Sequence, residues 1–111
     1  MPEATAKVFQ VETTVESPAE ARKIASALVK KRLAACVQIV GPISSTFRWQ
    51  GRVQEAEEQL LLCKVAGERL EAAISLIEEL HDYDVPEVLA FAVAKGSRSY
   101  LEWVAAEAAE K

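Results

Sequence analysis

The order of strands and helices is the feature that most restricts how this chain can fold. Residues that alternate between apolar and polar predict strands, and apolar residues at helical spacing predict helices. We expect strands over residues 7–15, 35–49, 52–65 and 88–94, and helices over 18–33, after Gly67 and after Ser97. The order β-α-β-β-α-β plus a terminal helix is that of the ferredoxin-like split β-α-β sandwich. It is an α+β fold in which one antiparallel sheet carries two helices on one face.

The central β-hairpin is long for a domain of this size. Gly41-Pro42 is expected to interrupt its first strand, because proline cannot donate to a ladder, and Gln50-Gly51 is typical of a tight turn. Residues 35–49 would span roughly 50 Å if fully extended at about 3.3 Å per residue. A domain of about 100 residues has a radius of gyration of only about 13 Å. The hairpin must therefore bend near Gly41-Pro42 or project beyond its own core.

The hairpin also carries an apolar face that favours assembly. Ile43, Phe47 and Trp49 lie at alternating positions and so share one face. A monomer rarely exposes a contiguous apolar patch of this kind. Two interpretations remain open: the hairpin folds back on its own sheet, or it pairs with a neighbouring subunit in a contact that closes into a ring. The second is our prediction.

Composition and charge limit the classes of function. The 111 residues suit a single domain, 1–111, and the net charge of −4 comes without the basic patch that nucleic-acid binding usually needs. No apolar run reaches the length of a membrane span. Met1–Ala4 resembles no signal peptide, and neither cysteine has zinc-site spacing. We therefore predict a cytoplasmic protein that binds neither nucleic acid nor membrane.

Four motifs resemble those of the CutA (divalent-cation tolerance) family. Residues 32–40 resemble its segment RLAACVNI, and Trp49-Gln50-Gly51 with the acidic strand that follows resembles its W-x-G hairpin. Residues 81–88 resemble HPYEVPEI, and residues 96–103 resemble the closing stretch G-N-x-x-Y-L-x-W. The four motifs occur in the family's order and cover most of the chain.

The resemblance implies a homotrimer with this fold, held together by sheet pairing between subunits. It also implies a role in the tolerance of copper and other divalent metals. The chain departs from the family pattern at several points: Gln38 stands for the usual Asn, Asp82 for the loop proline and Asp84 for the usual Glu, and residues 9–14 differ from the usual apolar strand that ends in T-x-P. These departures bear on the geometry of a ligand site rather than on the fold.

Seven side chains are candidates for a ligand site. Cys36, His81 and Glu87 are the predicted ligands of Cu²⁺ or another weakly bound divalent cation, because thiolate and imidazole suit copper and zinc and carboxylates suit harder ions. The other candidates line an expected cleft between subunits: Lys64, Tyr83, Asp84 and Trp49. No two strong ligands are adjacent on one element, so the prediction of a metal rests on the resemblance.

Six of the seven candidates also have an ordinary structural interpretation. Cys36 suits a small core residue of an apolar strand, and His81 suits the end of a helix, where it complements the helix dipole. Tyr83 and Trp49 suit packing, and the two loop acids suit a solvated surface.

The sequence carries no enzyme motif: it has no nucleophile elbow, no phosphate loop and no HExxH. We predict a trimeric, metal-responsive divalent-cation tolerance protein that is not an enzyme. The alternative is a PII-like signalling or scaffolding trimer that binds a small molecule or an unidentified partner protein in its intersubunit clefts.

Overall fold

The structure is a computed structural model that describes residues 7–110. Its elements follow in the predicted order: β1 (Val8–Val15), α1 (Pro18–Lys30), β2 (Cys36–Trp49), β3 (Arg52–Ala66), a 3₁₀ turn (Gly67–Arg69), α2 (Leu70–Leu80), β4 (Val88–Ala92) and α3 (Arg98–Glu107). Met1–Ala4, on which the prediction of no signal peptide rests, lies outside the described residues. No helix within residues 7–110 combines the length and apolar character needed to cross a bilayer.

One four-stranded sheet forms the centre of the fold, with strand order β2-β3-β1-β4. All three neighbouring pairs are antiparallel. This order and the two helical crossovers confirm the predicted ferredoxin-like architecture.

The two faces of the sheet differ in what covers them. The odd-numbered residues Leu61, Cys63 and Val65 of β3 are buried in the main core with residues of α1 and α2. Because strand side chains alternate, the even-numbered residues of β3 lie on the opposite side. We call that side the open face. At one end of it Leu101 and Val104 of α3 pack on Val8.

Helix α1 ends three residues earlier than predicted. Its last residue is Lys30, and Arg32 has a positive φ of 60°. The backbone N–H of Arg32 donates to Val29 at 3.0 Å and that of Leu33 donates to Leu28 at 2.9 Å. This is the Schellman pattern of helix ends, in which glycine usually takes the left-handed position. The prediction of a helix to Leu33 was wrong because an arginine occupies that position.

The side chain of Arg32 fastens the C-terminal helix to the rest of the fold. Its guanidinium donates to the carbonyl oxygens of Ala109 at 2.8 Å and Ala106 at 3.2 Å. Arg69 in turn donates to the carbonyl oxygen of Arg32 at 3.2 Å. Helix ends leave carbonyl oxygens without partners, and a cation there also complements the helix dipole.

The hairpin projects from the core. We had predicted that Gly41-Pro42 interrupts β2. The strand instead continues through it, and only its register with β3 shifts, between Val40 and Ile43. β1 pairs with β3 only over residues 59–66, so the rest of the hairpin has no third strand beside it. The radius of gyration is 15.0 Å and the longest dimension 52 Å, against about 13 Å for a compact domain of this size. The alternative in which the hairpin folds back was wrong.

The projecting hairpin contains no core. Between Ala35 and Glu57 no side chain is buried. Phe47 is 40 %, Trp49 39 % and Val53 65 % exposed. The outer edge of β2 pairs with no other described strand. A long edge strand with exposed apolar side chains is a surface that a second chain can pair with.

Candidate functional site

A cavity of about 830 Å³ lies between the projecting hairpin and the loop that joins α2 to β4. Phe47 and Trp49 of β2 form one wall, and Tyr83 of the loop lines the opposite side. Glu58, at the base of the hairpin, lines the cavity as well. After the register shift in β2, Ile43 pairs with Glu58 of the open face. The alternating residues Ser45, Phe47 and Trp49 therefore lie on the open face as well.

Carboxylates dominate the charge of this cavity. Five of them line it: Glu16, Glu57, Glu58, Asp84 and Glu87. No lysine, arginine or histidine of the described residues belongs to the lining. A concave surface lined by one sign of charge concentrates counter-ions. The cavity therefore favours positively charged ligands.

A hydrogen bond between Tyr83 and Glu58 joins the loop to the hairpin. The Tyr83 hydroxyl donates to Glu58 Oε2 at 2.8 Å. Glu58 is only 7 % exposed, although it lies on a strand whose neighbours are open to solvent. Burial raises the pKa of Tyr83, and the hydrogen bond to Glu58 and the negative charges of Glu58, Glu16 and Glu20 raise it further.

His81 fixes the start of the loop. Its Nε2 lies 2.8 Å from the carbonyl oxygen of Thr14, and its Nδ1 accepts the backbone N–H of Tyr83 at 3.1 Å. A carbonyl oxygen only accepts, so Nε2 carries the proton and the ring is the neutral Nε2–H tautomer. Both ring nitrogens are engaged. His81 has no free lone pair for a metal ion unless its bond with Tyr83 opens.

Four of the seven predicted residues line the cavity, and three lie outside it. Trp49, Tyr83, Asp84 and Glu87 line the cavity. Cys36, Lys64 and His81 do not belong to the lining. Within residues 7–110, no group of three His, Cys, Asp or Glu side chains is arranged to hold a metal ion.

Lys64 and Cys36 are cross-strand partners at the other end of the open face. The Lys64 ammonium donates to Gln10 Oε1 at 2.8 Å and to Gln38 Oε1 at 3.0 Å. Gln38, the residue that departs from the family's Asn, thus holds Lys64. Burial raises the pKa of Tyr100 in α3, and the charge and hydrogen bonding of Cys36 raise it further.

Both cysteines are free thiols with different surroundings. Cys63 is fully buried beneath the helices, and burial raises the pKa of its thiol to about 12. A buried thiol held in its protonated form is unreactive. Cys36 is only partly buried.

Sequence reasoning missed the acids of the strand. Glu58 and Glu57 belong to the acidic return strand of the W-x-G motif, but no role was predicted for either. One signal was available: Glu58 lies at the same alternating positions as Leu60 and Leu62, where an apolar side chain is expected. A carboxylate in such a position needs a hydrogen-bond donor, which Tyr83 supplies.

The Tyr83–Glu58 bond predicts how stability depends on pH. The folded-state pKa of Tyr83 lies above the unfolded value of about 10, so its contribution is complete below pH ~10 and is lost as the pH rises further. Tyr83→Phe should lower the free energy of unfolding by about 1–2 kcal/mol at pH 8. That difference should shrink at pH 11, where ionised Tyr83 stabilises the unfolded wild type. Urea unfolding at both pH values measures it, and an equal difference at both would contradict the assignment.

Comparison with known proteins gives one family. The profile described as "CutA1 divalent ion tolerance protein" matches residues 9–107. The divalent-cation tolerance protein CutA of Thermus thermophilus is 47% identical over 91 residues, which are 82% of this chain and 88% of that protein. The chloroplastic protein CutA of Arabidopsis thaliana is 42% identical over 85% of this chain, which spans only 52% of that relative's length.

Solved structures agree with this result. A PII-like protein CutA from Nostoc in apo form has a TM-score of 0.85 at 30% identity and covers 91% of this chain and 97% of its own. A CutA from Archaeoglobus fulgidus, described as a periplasmic divalent cation tolerance protein, has a TM-score of 0.88 at 30% identity and covers 92% and 99%. These names place relatives in the periplasm and in the chloroplast, so the compartment varies among them.

Proposed function

The chain belongs to the CutA1 divalent ion tolerance family, and from this premise we propose that it works as a homotrimer that binds Cu²⁺ or a related divalent cation weakly. The cavity, which is lined by five carboxylates and by no basic side chain from residues 7–110, is the observation that carries this proposal. Carboxylates are ligands for divalent ions, and among first-row metals Cu²⁺ binds a given set of ligands most tightly. The family description names a tolerance role and no reaction, which supports a function other than catalysis.

The projecting hairpin supports the trimer. Its outer edge is unpaired and its apolar side chains are exposed within one chain. Pairing with a neighbouring copy would satisfy that edge and enclose those side chains in a cleft between subunits, and a head-to-tail contact of this kind closes into a ring. The PII-like description of the Nostoc relative is consistent with an oligomer. We propose a cytoplasmic location for the assembly.

The same assembly would explain why binding is weak. Cys36, His81 and Glu87 remain our proposed metal ligands, but one chain keeps them apart and both nitrogens of His81 are engaged. A complete site then needs ligands from two subunits and the opening of the His81–Tyr83 bond. Both requirements reduce affinity.

Calorimetric titration of the chelator-stripped protein with Cu²⁺ tests the proposal. We expect the variants Glu87→Gln, His81→Ala and Cys36→Ser each to weaken binding by about tenfold, since a contact of ~1.4 kcal/mol corresponds to that factor. Glu71→Gln is the matched control, because Glu71 is an exposed acid of α2 outside the cavity. A variant that binds like wild type removes its residue from the site. A wild-type protein that binds no Cu²⁺ refutes metal binding as a whole.

The size of the cavity favours a second candidate function. A volume of about 830 Å³ is far more than one metal ion fills, and it lies in the range of small-molecule sites, ~300–1,000 Å³. The second candidate is a PII-like signalling or scaffolding trimer whose clefts bind a small molecule or a segment of a partner protein. The PII-like relative from Nostoc supports it.

A further inference from the structure

The lining of the cavity limits the chemistry of what it can bind. Its five carboxylates disfavour an anion, because like charges repel in a partly desolvated site. Its aromatic side chains, Phe47, Trp49 and Tyr83, favour a ligand with an apolar or planar body. Aromatic faces also attract cations directly. A positively charged organic molecule satisfies all three conditions.

Glu58 places a requirement on the ligand that the other four carboxylates of the cavity do not. This side chain is more than nine-tenths buried, and its Oε2 accepts the Tyr83 hydroxyl. No donor among residues 7–110 bonds its other oxygen, Oε1, although the residue lines the cavity. Within residues 7–110 the buried side-chain polar atom without a partner is Thr13 Oγ1, so Glu58 Oε1 still reaches solvent through the cavity. A ligand that displaces this solvent must supply a donor, because a desolvated carboxylate oxygen without one is costly. The cavity therefore presents an acceptor at its base that a bound molecule with N–H groups would satisfy.

We propose that the cavity binds an organic cation with N–H donors, a primary ammonium or a guanidinium, attached to an apolar body. The charged group donates to Glu58 Oε1, and the body packs against Trp49 and Phe47. A charge-assisted hydrogen bond of this kind is about twice as strong as a neutral one. A quaternary ammonium has the charge but no N–H, and so leaves Glu58 Oε1 without a donor. This inference rests on the second candidate function and names the chemical class of its ligand.

Calorimetry of the full chain with three matched probes tests the inference. The probes are 2-phenylethylamine, its N,N,N-trimethyl derivative, and the anion 3-phenylpropionate. We expect 2-phenylethylamine to bind at least about tenfold more tightly than the trimethyl derivative, because only the amine donates to Glu58. The anion should not bind. Absence of binding by the amine, or equal binding of all three probes, overturns the inference.

Variants locate the bound amine. Glu58→Gln keeps the shape and an acceptor for Tyr83 but removes the charge, and it should weaken amine binding by about tenfold. Trp49→Leu should weaken it as well, and Trp49 is 39 % exposed, so this change leaves the core intact. Glu55→Gln is the matched control: Glu55 is an exposed acid on the same strand that does not line the cavity. Equal losses for Glu58→Gln and Glu55→Gln would mean attraction to net charge alone, and would overturn the assignment.

The same samples separate this inference from the metal proposal. A Cu²⁺ titration of Glu58→Gln and of the wild type, run without amine, reports on metal binding alone. If Cu²⁺ binds and the amine does not, the inference fails and the divalent-cation proposal stands. If the amine binds and Cu²⁺ does not, the cavity is an organic-cation site and the metal proposal fails.

Discussion

Deleting residues 46–49 together with 52–55 should give a folded monomer in place of the proposed trimer. After the deletion Ser45 and Ala56 flank the native Gln50-Gly51 turn. In the wild-type ladder these two residues already pair with each other. Their pair is of the same hydrogen-bonding type as Trp49 and Arg52, which flank the turn in the wild type, because pair types alternate along an antiparallel ladder. The positive φ angles of the turn, 51° and 80°, suit a two-residue connection.

The shortened chain should still fold, because no buried side chain lies between Ala35 and Glu57. It should lose the end of the unpaired edge and the exposed apolar side chains Phe47, Trp49 and Val53, on which assembly depends. Sedimentation at micromolar concentration should give the wild type three times the chain mass of 12.1 kDa and the variant a single chain mass. Gln50→Asn keeps the hairpin length and should sediment like wild type. A single-chain mass for the wild type would refute the trimer, and a trimeric variant would refute the role of the hairpin.

Leu28→Ala should destabilise the protein by about 2–5 kcal/mol. Leu28 is fully buried on the face of α1 that packs on the sheet, so its removal leaves a cavity in the main core. Val29, the next residue of the same helix, is 42 % exposed. Val29→Ala should therefore change stability by no more than about 0.5 kcal/mol.

Urea unfolding at one fixed protein concentration measures both variants, because dissociation of an oligomer would otherwise shift the midpoint. Circular dichroism before the titration checks that each variant is folded. Similar losses for Leu28→Ala and Val29→Ala would contradict the placement of α1 on the sheet.

Periodicity in the sequence was enough to predict the order of elements and the fold. Alternation in β1 and β3 and helical spacing in α1 and α2 are strong signals, because each element buries one face against the same core. The end of α1 was missed because the residue at the left-handed position is Arg32 rather than glycine. What favours arginine there is hydrogen bonding to the carbonyl oxygen of Ala106 in the last turn of α3 and to that of Ala109 just beyond it, more than seventy residues away. No local pattern reports such a contact.

The candidate site was predicted in part for similar reasons. Trp49, Tyr83 and the two loop acids were predicted from motifs, and the structure brings them together. Cys36 was grouped with them by chemistry, but the register of β2 places it beside Lys64. Glu58 was missed because its importance depends on burial and on one hydrogen bond. Both follow from how the loop lies on the hairpin.

No side chain of residues 41–57 is buried, so about half of the two longest strands receives no support from the chain's own interior. In the proposed assembly that support comes from neighbouring copies, and mass action then links the order of the hairpin to the amount of protein present. Because the aromatic wall of the cavity lies on this hairpin, dilution would loosen the ligand site before it unfolds the core. The level at which a cell makes the protein would thus help to set how many working sites it has.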